Sequence, residues 1–133
     1  MNWGHLALVV VVSGLIASVT DYVFMGLLFK AKYQEAPEIW RQGASERNKI
    51  IYSELIGLIT CAAFAWLLAA TGHVALMSGL KMAVAVWVIA AIPIQGLSLI
   101  HRLLVKRIGI AASHSLGWLV RLAVTAGVVS YLL

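Results

Sequence analysis

Four long apolar stretches, separated by short polar breaks, fill most of the 133-residue chain. They run from about Leu6 to Phe29, Ile50 to Ala70, Lys81 to Ile100 and Ile108 to Leu132. Each has about the 20 residues that a helix needs to cross a bilayer. The runs are continuous, unlike the ~10-residue alternating segments of a membrane barrel. The pattern predicts an all-α polytopic membrane protein with four transmembrane helices in a bundle. Residues 1–133 form one domain, with no room for a soluble one. Within the 30–49 connection, Ala36-Pro37-Glu38-Ile39-Trp40-Arg41 suits a short interfacial helix, with Pro37 at its first position and Glu38 in its first turn. Ser45 stands where a cap for the second long helix would be.

Composition agrees with the pattern. Hydrophobic residues make up 62% and charged ones 11% of the chain, and the mean hydropathy is +0.97. Soluble domains carry roughly 25% charged residues, so a soluble globule is excluded. The first residues, Met1 to His5, include no basic side chain. The first stretch is therefore expected to remain as an anchor rather than to be cleaved as a leader.

The net charge of +5 follows from where the basic residues fall. Lys30, Lys32, Arg41, Arg47 and Lys49 lie between the first two stretches, and Arg102, Lys106 and Arg107 between the last two. The connection Thr71 to Val74 has none. This bias predicts a bacterial inner (plasma) membrane protein with residues 30–49 and 101–107 in the cytoplasm and both termini on the outer side. It explains the charge without a nucleic-acid partner. Tyr33, Trp40 and Tyr52 would then mark the inner interface, and Trp3 and Tyr131 the outer one.

Against this background Asp21 is conspicuous. It is the only charged side chain in its stretch. A carboxylate at membrane depth costs roughly 2.5–3.5 kcal/mol on insertion scales unless it faces the protein interior and finds a partner. Arg121 is the matching anomaly in the last stretch. Asp21 lies eight residues before Phe29 and Arg121 eight after Ser113, so each is about 12 Å deep from the same side. An Asp21–Arg121 pair makes both tolerable.

Glu54, Gln95 and His114 form a shallower polar layer. His114, Trp118, Arg121 and Thr125 share one helical face. Gly14, Ala17, Ser18 and Asp21 do the same on the first helix, and Glu54, Gly57, Cys61 and Ala65 on the second. Small residues beside polar ones mark sides packed on other helices. Pro93 lacks an N–H and leaves the Ile89 carbonyl without its usual donor, which predicts a kink near Gln95. The candidate ligand-binding set is Asp21, Glu54, Gln95, His114, Trp118 and Arg121. If the site is catalytic, Asp21, Glu54 and His114 are its acid–base candidates.

No metal site and no cofactor is expected. Cys61 is the single cysteine and reads as apolar packing. His5, His73 and Met77 lack metal-ligand spacing. His114 is the only histidine placed for an axial haem bond, and His101 reads as a solvated helix-end residue.

Several segments resemble a family of small bacterial four-helix integral membrane proteins without an established activity. They are Asn2-Trp3, Asp21 to Phe29, Lys32-Tyr33, Pro37 to Arg41, Pro93 and Gly117-Trp118. Where that family shows an aromatic residue near the end of helix one, this chain has Asp21-Tyr22. The resemblance implies the four-helix architecture and carries over no functional residue.

Three functions fit a buried polar site in the cytoplasmic half. The first is binding or transport of a small or amphipathic solute, with proton linkage through Asp21 or Glu54 as one version. The second is a non-catalytic accessory subunit of a larger membrane complex. The third is a membrane-embedded enzyme using acid–base chemistry on a lipophilic substrate. A thin bundle with small residues such as Ala83 and Ala90 still unassigned also points to a homo-oligomer or a larger complex, with the lipid bilayer as the general partner.

Overall fold

The computed structural model describes residues 3–35, 45–100 and 108–133. Every element in them is helical: α1 (Trp3–Asp21), π1 (Tyr22–Leu28), α2 (Lys30–Gln34), α3 (Glu46–Ala70), α4 (Leu76–Val86), π2 (Trp87–Ala91), α5 (Ile92–Ile100) and α6 (Ile108–Leu132). Four continuous stretches are long and apolar enough to cross a membrane: Trp3–Leu28, Arg47–Ala70, Leu76–Ile94 and Ile108–Leu132. The all-α, four-span expectation is met.

Local chemistry explains several boundaries. Ser45 caps α3, its hydroxyl accepting the Asn48 N–H at 3.2 Å. Gly72 turns the chain between α3 and α4 at φ 73°, a conformation open to glycine. The third span begins at Leu76, five residues before the expected Lys81. A membrane-depth start at a lysine is not required, because Lys81 is exposed and can extend toward the headgroups.

Two stretches depart from a regular α-helix. In π1 the ladder widens, and the Phe29 N–H reaches back five residues to Phe24 O at 2.9 Å. In π2 the Ile92 N–H does the same to Trp87 O. This wide turn stands immediately before Pro93, where the proline removes one rung. The proline thus sits just past a π-helical segment in the third span. The expected interfacial helix at 36–41 lies outside the described residues. A different short helix, α2, follows π1 after Phe29.

Packing centres on α6. It lies against α1, α3 and α4, while α1 and α3 also pack on each other. The main core joins Leu6, Val9, Phe64, Leu68, Leu122 and Val129. Leu6 is near the start of α1 and Val129 near the end of α6, so these two helix ends lie together at one end of the bundle. Ala83 is 1% exposed and belongs to this core. Left unassigned by the sequence, Ala83 packs inside the bundle, where its small side chain suits the close packing of α4 on α6. The lateral surface carries apolar side chains such as Leu15, Ile59 and Ile89, as lipid contact requires. A second, smaller core at the opposite end holds Tyr33 and Ile110, with Met25 and Phe29 packed against them.

Candidate functional site

Asp21 is the last residue of α1, where the α-helical ladder gives way to π1. Arg121 projects from the middle of α6. The Arg121 Nη2 donates to Asp21 Oδ2, forming an ion pair whose side chains are 11% and 18% exposed. The matching depths read from the sequence are therefore realised as contact.

Gly57 of α3 makes that contact sterically possible. A Cβ built there would stand 2.7 Å from Arg121 Cζ and 2.8 Å from Nη2. The guanidinium lies against the bare backbone of α3 at Gly57, so three helices meet at one charge pair. One turn beyond, Thr125 is fully buried and donates to Arg121 O at 3.0 Å. The polar face of α6 thus ends in a self-satisfied hydroxyl.

The pair is not sealed in dry packing. A cavity of about 180 Å³ lies against it, also bounded by Phe24, Met25, His114 and Trp118. Ser53, Ser113 and Gly117 complete its polar and open sides. His114, Trp118 and Arg121 share this space, as their 4- and 3-residue spacing on α6 dictates.

Glu54 does not line that cavity. It lies in a neighbouring groove of about 400 Å³ between π1 and α3, together with Ser18, Tyr22, Lys49 and Ile50. Ser18 donates to Glu54, and its oxygen also stands 3.0 Å from Gly14 O. Asp21, Met25 and Ser53 border both spaces. The single constellation expected from the sequence is two compartments with Asp21 on the wall between them. Glu54 comes from α3, whereas His114, Trp118 and Arg121 come from α6, and the two helices present these residues to different sides of Asp21. Gln95 belongs to α5, and its side chain lies outside the described residues. Among the described residues no group of three or more His, Cys, Asp or Glu side chains converges as a metal site.

Tyr33 is the participant that sequence reasoning missed. Expected at a lipid interface, it is instead 7% exposed. Its hydroxyl stands 3.3 Å from His114 Nε2 and 3.4 Å from Ser113 Oγ. Its ring meets the His114 ring edge-on, with centroids 5.6 Å apart and planes at 88°. Burial pushes the Tyr33 phenol above its ordinary value, the Ser113 hydrogen bond opposes this, and the Asp21 charge adds to the rise. The available sequence signal was a tyrosine four residues past Phe29, the end of the first apolar stretch, which an aromatic belt explains equally well.

On α4–π2, Trp87 donates its indole N–H to Ser115 O at 2.8 Å. This bond ties the third span to α6 directly behind His114.

No protein-family model matches the chain, and neither does any of the curated proteins or solved structures compared with it.

Proposed function

We propose that the Asp21–Arg121 cavity is an intramembrane binding site for a small or amphipathic solute, held there or carried across. One observation carries this reading: the ion pair faces a cavity. Interhelical polar contacts in membranes contribute about 0.6–2 kcal/mol, and a pair serving adhesion alone gains nothing from an open space beside it. Here the guanidinium spends one N–H on Asp21, and its remaining edge borders the cavity beside His114 and Ser53. Such a lining suits an anionic or hydroxylated head group, with Trp118, Phe24 and Met25 contacting its apolar part. Glu54 and Asp21 border the adjoining groove and are the groups through which proton linkage would act.

In this reading the protein lies in a bacterial inner membrane with both termini outside. The α2 end, with Lys30, Lys32, Arg47 and Lys49, then faces the cytoplasm. The family suggested by Asp21 to Phe29 and Gly117-Trp118 is part of the same proposal.

Native mass spectrometry of the protein, extracted gently from its own membrane, tests the reading. A reproducible small-molecule adduct is expected on the parent and is lost in the Asp21→Asn/Arg121→Gln double variant. The same adduct on both proteins refutes the site. Retention of one particular larger protein, with no adduct, favours the accessory-subunit reading instead.

A further inference from the structure

We propose that Tyr33 gates the Asp21–Arg121 cavity from the α2 end of the bundle. In this scheme α2 swings about Phe29. Water or solute from that side reaches the ion pair only when Tyr33 leaves His114 and Ser113. The proposal rests on the cavity's geometry and not on what occupies it, so it can fail or stand independently of the solute reading.

Three observations converge on it. First, Tyr33 lies over two residues that themselves line the cavity, His114 and Ser113. Second, its carrier is a five-residue helix, too short to be stable by itself. Among the described residues α2 packs on the bundle through the small core of Tyr33, Ile110, Met25 and Phe29. Third, the connection to α1 is suited to bending. π1 ends at Phe29, whose φ of −110° and ψ of 9° break the helix. Wide π turns recur at functional bends.

The same segment links the gate to the site. Phe24, on the cavity wall, stacks on Phe29 with centroids 6.2 Å apart and planes at 8°. Met25 touches both the cavity and the Tyr33 core. Motion of α2 about Phe29 therefore moves the cavity wall, and a bound solute pressing on Phe24 or Met25 acts back on the gate.

Thiol accessibility tests this without a known solute. Gly117→Cys puts a reporter in the cavity, where a Cβ meets only Asp21 Oδ1 at 3.9 Å, an ordinary contact. The full chain carrying Cys61→Ala is placed in vesicles of both orientations. It is treated with a membrane-impermeant sulfonated methanethiosulfonate. With Tyr33 intact, labelling should be slow. Tyr33→Phe loses a neutral hydrogen bond and should speed it about fivefold. Tyr33→Ala loses the buried ring as well and should speed it roughly 100-fold.

The acceleration should occur only where α2 faces the reagent. Equal rates in the three proteins, or acceleration from the opposite face, would overturn the gate. Folding is checked with native Gly117 and Cys61, since Cys61 is fully buried and must stay unlabelled in Tyr33→Ala. If it labels, Tyr33→Leu keeps an apolar anchor without the ring's reach and is held to the same outcomes.

Discussion

Gly57→Ala should destabilise the bundle, against the ordinary rule for this substitution. In a helix interior, alanine is favoured over glycine by about 0.8–1 kcal/mol. At position 57 the added Cβ would enter the space of the Arg121 guanidinium. The clash itself is with the far end of a flexible side chain, which can swing away. What makes the swing unfavourable is Asp21, which holds that end through a charged hydrogen bond. Such bonds are worth about 1.5–3 kcal/mol net. Subtracting the propensity gain leaves a net loss of about 0.5–2 kcal/mol.

In an Arg121→Ala background nothing occupies the space, and the same substitution should stabilise by about 1 kcal/mol. The sign of the effect thus depends on a residue 64 positions away in sequence. Reversible unfolding in mixed micelles, followed by the fluorescence of the five tryptophans, measures all four proteins of the cycle. Equal effects of Gly57→Ala in the two backgrounds would refute the claim that α3 seats the guanidinium.

Asp21→Asn and Arg121→Gln each leave one charge without its partner at membrane depth. Each should cost about 3–5 kcal/mol, while the double variant loses clearly less than the sum; additive losses in the same unfolding assay would count against the pair. Ser45→Ala should cost about 1 kcal/mol through the lost cap on α3, read as earlier proteolysis or hydrogen exchange at Arg47 to Lys49, and unchanged exchange there would contradict it. The Tyr33 phenol, raised by burial, should titrate above its ordinary 10.0. Its contribution to holding α2 is then complete below that value and is lost as pH rises through the folded-state pKa. The 295 nm absorbance titration of the parent minus Tyr33→Phe checks this, and a phenol ionising at or below 10.0 would refute it.

Much of the molecule was legible from one dimension. Hydrophobic run length alone marks the four spans, because a bilayer tolerates little except a helix with its backbone bonds made internally. Ser45 announced its cap through side-chain chemistry that acts within three residues. The Asp21–Arg121 contact was legible too, since a lone acid and a lone base at equal depth have few other partners. Helical periodicity on α6 also placed His114, Trp118 and Arg121 on one side, because that helix runs unbroken from Ile108 to Leu132.

Three things were decided only in the folded bundle. Glu54 borders only the groove while Asp21 borders both spaces, because α3 and α6 present their polar residues to different sides of Asp21, a rotation that no local composition rule signals. Gly57 became the seat of a guanidinium rather than a generic small residue because α6 happens to deliver Arg121 at its height. Tyr33 left the expected interface and was buried because its hydroxyl and ring find His114 and Ser113, 80 and more residues later in the chain. Sequence by itself determined which residues must leave water and which charges must find partners, since those are properties of single side chains and short periods. Tertiary structure decided which space each polar group faces, since that depends on how helices distant in sequence rotate against one another.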